Sequence, residues 1–386
     1  MAVICIESDE KFSEYEDKVK SRKVNFKFSQ IFLDWWQIFL DTFPNITIRP
    51  IVKESVEKMI ACNTLFSGFT VFICECLKKI FVPHTCKSRF CPSCGNKYNE
   101  ERAISIKNIL FDHKHRHATF TMPEEIRHFF REDRSRLDIL FKAVDLTVNQ
   151  WFKKINFDGK HAYVAVLHTY GKALNWNPHL HLILLEGGIK DGKIINQDFF
   201  SYPFFRKKFM YNLLKLMEEE IGTAEFKAIR IKMWNKYRKE GFYVNTPPSK
   251  FKTMFDLIKY VTRYLSRPVM AQSRILDYDG KYVTFWYQRH GDDKVVVEKI
   301  HALEFISRLI IHIPDKNMKY IRYFGAYHNS SKEAKPSAIK MFTDKIIEFL
   351  RKGNKWRQKI INDFKRDPLK CPDCGLTMVY WDSEFT

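Results

Sequence analysis

Apolar and polar residues alternate over His179-Leu-His-Leu182 and run on apolar through Ile-Leu-Leu185, a pattern that predicts a strand. Ala162-Tyr-Val-Ala-Val-Leu167 reads as its neighbour, and the loop between them carries turn residues Gly171, Asn175, Asn177 and Pro178. His117-Ala-Thr-Phe-Thr-Met122 is another strand, closed by Pro123 and followed by a helix starting at Glu124 and Glu125. Elsewhere the period lengthens. Phe32, Trp35, Trp36, Phe39 and Leu40 recur at helical spacing, so residues 29–66 read as two helices interrupted by Pro44 and Pro50. Short extended pieces are expected over 70–96, and helices near 99–111, 135–154, 204–240, 255–265 and 301–312. Residues 282–287 and 294–299 read as a hairpin turning at Gly291-Asp292-Asp293, and 320–323 as a final strand. From Ser330 the chain reads as a basic helical tail that ends in a cysteine pair. Strands scattered among helices, several in hairpins, predict an α+β fold with an antiparallel sheet.

Charge sharpens this picture. Lys and Arg number 65 against 45 Asp and Glu, for a net charge of +20 and a pI near 9.4. An excess that large is self-repulsive unless a polyanion shares it, which points to nucleic acid. The 34 Phe and 17 Tyr exceed what charge alone asks for, and some can stack on unpaired bases. With 386 residues, 45% of them hydrophobic, the chain is long enough for two or three units with real cores. Met1 to Glu10 contains no basic stretch followed by an apolar run, and no window approaches the roughly 20 apolar residues of a membrane span. A cytoplasmic, nucleoid-associated protein is expected. Five of nine cysteines fall between residues 74 and 94 and two form Cys371-x-x-Cys374, a clustering that means metal rather than disulfides in such a compartment.

Two constellations carry chemistry. Residues i and i+2 of a strand share a side, so His179 and His181 present adjacent imidazoles while Leu180 packs behind them. Neutral imidazoles so placed form a claw for a divalent ion, and His168, at the end of the neighbouring strand, is the candidate third ligand. Tyr260 and Tyr264 lie one helical turn apart, with Lys259 and Arg263 beside them and Arg267 a turn beyond. A phenol titrates near pH 10, so a tyrosine that attacks a phosphodiester needs a cation and basic neighbours to favour its deprotonation.

Taken together these stretches resemble a known family. Cys86-Lys-Ser-Arg-Phe-Cys91-Pro-Ser-Cys94-Gly95 is similar to the zinc-binding domain of the rolling-circle, His-hydrophobic-His transposases of the insertion-sequence-ninety-one type. His117-Ala-Thr-Phe-Thr-Met-Pro123 resembles that family's first strand motif. Leu167-His168-Thr-Tyr-Gly171 followed by Asn177-Pro-His-Leu-His181 resembles its metal motif. Tyr260-Val-Thr-Arg-Tyr264-Leu-Ser-Arg-Pro268 resembles its two-tyrosine motif, and Ile321-Arg-Tyr-Phe-Gly325 the segment that closes its transposase domain.

The resemblance implies a central antiparallel sheet of the His-hydrophobic-His nuclease type with flanking helices, a small zinc ribbon and N-terminal helices. It further implies an Mg²⁺- or Mn²⁺-dependent nick in single-stranded DNA at transposon ends, a 5′-phosphotyrosine on Tyr260 or Tyr264, and strand transfer to target DNA. The family often carries Gln at the position of His168, consistent with a ligand there. Its usual zinc pattern has a Cys-x-x-Cys where this chain has Cys74-Glu-Cys76. Cys91 and Cys94 form one knuckle, and Cys86 with Cys74 or Cys76 is expected to complete a tetrahedral Zn²⁺ site, with His84 or Cys62 as substitutes. Such a zinc would fold a small ribbon and hold Lys87, Arg89 and Lys97 near DNA. Cys371 and Cys374 are a half-site whose second half is open: Cys62, another leftover cysteine, a second chain, or none. Four consecutive blocks follow: helical 1–60, zinc-binding 61–112, nuclease 113–330 and a basic tail 331–386. The competing functions are a rolling-circle replication initiator or relaxase, and a zinc-dependent DNA-binding regulator without catalysis.

Overall fold

The computed structural model describes residues 26–44, 47–107, 109–248, 251, 256, 269–289, 294–328, 331, 357, 361 and 367–384. Among the described residues the elements run α1 (Phe28–Thr42), α2 (Pro50–Ala61), β1 (Phe69–Ile73), β2 (Lys79–Pro83), α3 (Pro92–Lys107), β3 (His115–Thr121), α4 (Arg127–Glu132) and α5 (Leu137–Lys154). They continue as β4 (Lys160–Tyr170), β5 (Trp176–Lys190), β6 (Lys193–Asn196), α6 (Tyr202–Ile221), α7 (Ala224–Tyr237) and β7 (Tyr243–Asn245). The chain closes with β8 (Ile275–Tyr278), β9 (Tyr282–Gln288), β10 (Val295–His301), α8 (Ala302–Ile310), β11 (Ile321–Gly325) and β12 (Val379–Glu384). This is the expected α+β fold, with antiparallel pairing throughout.

The chain folds as two compact units that interleave along the sequence. One comprises Met1–Arg102, Ser266–Ile313 and Lys340–Thr386, the other Ala103–Leu265 and Pro314–Ile339. In the first, the hairpin β9–β10 and α8, which fall within the expected 113–330 block, pack with α1. The reason is aromatic. Ala302, Phe305, Ile306, Leu309 and Ile310 form one buried stripe of α8, and Phe305 meets Phe28 of α1 and Phe285 of β9 at ring-centroid distances of 6.4 and 5.6 Å. Trp35 Nε1 donates to the Gly280 carbonyl at 2.8 Å, and the Tyr278 hydroxyl donates to Asp34 at 2.7 Å. The same unit holds the three-stranded sheet β12-β1-β2.

The second unit is built on a sheet ordered β11-β4-β5-β3-β7, with β6 paired to the far end of β5. Phe120 on β3 stands opposite Leu180 on β5, and its ring contacts Phe205 and Phe209 of α6 at 6.1 and 5.2 Å. That fixes one face of the sheet against helices. On the other face Ala162, Val164 and Val166 of β4 and Ile183 and Leu185 of β5 are buried with Ile106, Leu110, Phe111 and Tyr327. Strand β11 ends on Gly325, whose φ of +61° and the 1.9 Å that would separate a Cβ from the His161 carbonyl admit only glycine. Arg116 is buried in this unit and salt-bridged to Glu186 at 2.7 Å. It also donates to the carbonyls of Thr246, at 3.3 Å, and Asp198.

Two local expectations shift. The helix expected at 99–111 begins at Pro92, because proline is favoured in a first turn, where no amide partner is lost. The tail expected to be helical ends instead in β12, paired along β1 from Phe69↔Glu384 to Ile73↔Val379. The tyrosine helix expected at 255–265 falls outside the described residues except Asp256, which is helical. No helix among the described residues is long and apolar enough to cross a membrane.

Candidate metal centre and cysteine clusters

The register of the central sheet assembles the histidines. His168 of β4 stands opposite His179 of β5, and on the other side of β5 Thr119 and Thr121 of β3 stand opposite His181 and His179. All five side chains therefore share one face. The face that is apolar along Val164, Ile183 and Leu185 turns polar at the end where β4 and β5 join. One ligand nitrogen from each of His168, His179 and His181 lies within 4.8 Å of the others. The alternation of β5 is the cause: Leu180 and Leu182 are fully buried behind, and His179 and His181 sit half-buried in front.

The hydrogen bonds assign the lone pairs. His179 Nδ1 lies 2.7 Å from the Asn177 carbonyl; a carbonyl only accepts, so Nδ1 carries the proton and Nε2 presents a lone pair. That Nε2 is 3.0 Å from His181 Nε2. His181 Nδ1 is in turn 2.7 Å from His117 Nε2, with Thr119 Oγ1 3.3 and 3.4 Å from the two nitrogens. When His181 Nδ1 donates to His117, both Nε2 lone pairs converge on one point, a geometry that asks for a cation. Burial holds the imidazoles neutral. It pushes His179 down to about 4, aided by the nearby Arg127 charge, and pushes His117 down to about 4 as well. His181 is held well below the ordinary histidine range by burial and then by His168, His179 and His117 around it. Neutral imidazole is the ligand form.

The sequence pattern brings together the three expected histidines. It misses His117 and Thr119, whose placement at i and i+2 on β3 is the signal that puts them on this same face. It also misses Arg127, just after the β3 turn, whose charge reaches His179. Tyr260, Tyr264, Lys259, Arg263 and Arg267 lie outside the described residues. Phe251, nine residues before Tyr260, packs against the apolar cluster on the histidine face.

The cysteines divide where one site was expected. Cys86, Cys91 and Cys94 are joined by Cys62, not by Cys74 or Cys76. The Sγ separations are 3.6 Å for Cys62–Cys94 and Cys86–Cys94, and 3.8 Å for Cys62–Cys91. A tetrahedron of thiolates with metal–sulfur bonds near 2.3 Å has edges of about 3.8 Å, so this group has the size of a zinc site. The reason for the partition is α2. It ends at Ala61, and Cys62 receives the backbone N–H of Cys86 on its sulfur at 3.4 Å. Its neighbours hold the Cys62 thiol down at about 7, with Cys86 contributing most. His84 instead meets Thr70 Oγ1 at 3.0 Å. Cys74 and Cys76 lie with Cys371 and Cys374. Beside the first cluster Lys87 is exposed, and the Arg89 guanidinium lies over the Tyr98 ring at 5.1 Å.

Against known proteins, the family described as "Transposase zinc-binding domain" matches residues 31–122 and the family described as "Putative transposase" matches residues 162–335. The chain belongs to the insertion-sequence-ninety-one type of transposases. The first match contains Cys62, Cys86, Cys91 and Cys94, and the second contains His168, His179, His181, Tyr260 and Tyr264. The transposase is 27% identical over 354 residues to the transposase for insertion sequence element IS801 of Pseudomonas savastanoi pv. phaseolicola, covering 86% of this chain and 84% of that protein. It is also 27% identical over 300 residues to the putative transposase y4qJ of Sinorhizobium fredii, covering 71% and 74%. No solved structure matches it.

Proposed function

We propose that this transposase nicks single-stranded DNA at transposon ends with Tyr260 or Tyr264, keeps the cut strand as a 5′-phosphotyrosine, and transfers it to target DNA. The observation that carries this reading is the convergence of the His179 and His181 Nε2 atoms, 3.0 Å apart, beside His168. His168, His179 and His181 are the residues that would hold a divalent ion, and their donor set fits one. Three imidazoles without a carboxylate suit a transition ion better than a hard one, so of the two expected ions Mn²⁺ is favoured over Mg²⁺. The chemistry such an ion supplies when bound is polarisation of the non-bridging phosphate oxygens.

The chain's own residues do the rest. The phenolic oxygen of Tyr260 or Tyr264 forms a bond to phosphorus, and the phosphorus–O3′ bond breaks. The phenolic proton is lost, and the departing 3′-oxygen ends as a hydroxyl. Reversal with a new 3′-hydroxyl restores the tyrosine and reseals DNA without ATP. Lys259, Arg263 and Arg267, with Arg127 near His179, neutralise the phosphate and favour the phenolate. The reading that the tyrosines act beside the histidines draws support from two observations. Strand β7 pairs with β3 at Thr119 and Thr121, and Phe251 then packs on the histidine face shortly before Tyr260. A structural zinc held by Cys62, Cys86, Cys91 and Cys94 keeps Lys87 and Arg89 at the DNA.

The test is incubation with single-stranded oligonucleotides of the element's ends and Mn²⁺. The expected result is a covalent protein–DNA adduct that persists in each single variant Tyr260→Phe or Tyr264→Phe and is lost in the double variant. An adduct that survives in the double variant contradicts the proposal.

A further inference from the structure

We infer that Cys74, Cys76, Cys371 and Cys374 form a second structural zinc site that ties the C-terminal segment into the N-terminal ribbon. Cys371 and Cys374 lie beyond both family matches, which end at residues 122 and 335. The four sulfurs all lie within 4.8 Å of one another. Cys74 Sγ is 3.3 Å from Cys374 Sγ, and Cys76 Sγ is 3.6 Å from Cys371 Sγ. These separations far exceed a disulfide bond of about 2.05 Å and approach the edge of about 3.8 Å expected of a zinc–thiolate tetrahedron.

The backbone around the sulfurs is arranged as two facing turns. In one, Cys74 N–H donates to the Lys78 carbonyl at 2.9 Å and Leu77 N–H to the Cys74 carbonyl at 2.8 Å, with Leu77 at a φ of +69°. In the other, Gly375 N–H donates to the Cys371 carbonyl at 3.0 Å and Cys371 N–H to the Leu376 carbonyl at 2.8 Å, with Gly375 at +76°. Each turn continues into a strand of one sheet, β12 pairing with β1 and β1 with β2. Lys78 and Asp373 add a salt bridge at 3.2 Å across the two turns.

A metal is what this sub-structure lacks for stability. Its interior among the described residues is Cys74, Cys371 and Met378, lined by Phe72 and Ile80. So small an apolar cluster cannot hold segments separated by 300 residues, and metal ligation is the usual remedy for a ribbon without a core. The site also explains the Cys74-Glu-Cys76 spacing, which fits poorly when all the N-terminal cysteines are assigned to one ion. The two ions then have separate tasks: the first closes the loop between α2 and α3, and the second closes the chain ends of the unit.

Thiolate-bound zinc is counted on the full-length protein by releasing it with a thiol-specific mercurial and a chromogenic zinc indicator, which leaves imidazole-bound metal out of the tally. Two equivalents are expected from the unaltered chain. One is expected from Cys371→Ser/Cys374→Ser and one from Cys86→Ser/Cys94→Ser. Cys374→His, which keeps a zinc-binding side chain, is expected to retain two zinc ions by native mass spectrometry, separating loss of a ligand from general unfolding. One equivalent from the unaltered chain, or two from Cys371→Ser/Cys374→Ser, overturns the second site. Loss confined to the Cys86 and Cys94 variant leaves the first site standing alone.

Discussion

His117 Nε2 lies 2.7 Å from His181 Nδ1, so a residue of β3 is the hydrogen-bond partner of a candidate metal ligand on β5. A partner of this kind orients the ring and raises its basicity, typically a 10- to 100-fold effect on metal affinity. His117→Ala is expected to weaken Mn²⁺ binding by about that factor, while His117→Gln, whose amide oxygen can still accept from His181 Nδ1, recovers most of it. Titration of Mn²⁺ followed by paramagnetic resonance reads this directly. Equal affinity in all three proteins would remove His117 from the site.

The candidate ligands are expected to separate by role. His179→Ala and His181→Ala are expected to abolish nicking while leaving single-strand binding within a few-fold, because phosphate contacts supply most of the affinity. His168→Ala is expected to be milder, and His168→Gln to be tolerated. Nicking and filter-binding assays on the same oligonucleotide distinguish these outcomes. Simultaneous loss of DNA binding and of the folding transition in the His179 or His181 variant would mark those residues as structural.

The buried Arg116–Glu186 pair, 3% and 7% exposed at its side chains, is a test of the sheet unit alone. Glu186→Leu removes the carboxylate and leaves a buried guanidinium with the Thr246 and Asp198 carbonyls and the face of the Phe200 ring, but no counter-charge among the contacts described. The expected cost is about 3–5 kcal/mol in urea denaturation. A change below about 1 kcal/mol would mean that the carbonyls alone satisfy Arg116.

Acid should loosen the same unit. Burial lowers His115 to about 4, although its Nδ1 donates to the His113 carbonyl and its Nε2 accepts from Tyr327 at 2.6 Å. Burial, then the charge of Lys160, lowers His161 to about 4. An unfolded histidine titrates near 6.5, so between about 6.5 and 4 the unfolded chain binds more protons than the folded one. The stability these groups contribute is therefore fully present above about pH 6.5 and is lost as pH falls toward 4, by roughly 3 kcal/mol for His115 alone. Denaturation midpoints measured at several pH values check the slope, and His115→Gln is expected to flatten it.

The sequence displays the histidine site more fully than the cysteine sites, for a physical reason. The period of two in His179-Leu180-His181 is local, and a hairpin of the right length brings His168 alongside, so short-range pattern suffices. His117 and Thr119 obey the same parity but need the knowledge that β3 is the other neighbour of β5, which no local pattern records. The pairing of Cys371 with Cys76 spans 295 residues and that of β12 with β1 still more, and the exposed Val379, Tyr380 and Trp381 give β12 no apolar alternation to betray it. Cys62 escapes the zinc knuckle pattern because it is contributed by the end of a helix. The hairpin β9–β10 was readable as a hairpin, but its packing with α1 rests on Phe28, Phe285 and Phe305 meeting in space.

The most direct measurement is the site of covalent attachment. Protein incubated with Mn²⁺ and an end oligonucleotide is digested with protease, and the DNA-linked peptide is sequenced by mass spectrometry. The account predicts a phosphodiester to the 5′ end of the cut strand on Tyr260 or Tyr264, formed in the unaltered protein and absent from His179→Ala/His181→Ala. Attachment at any other residue, or undiminished attachment in that histidine variant, contradicts it.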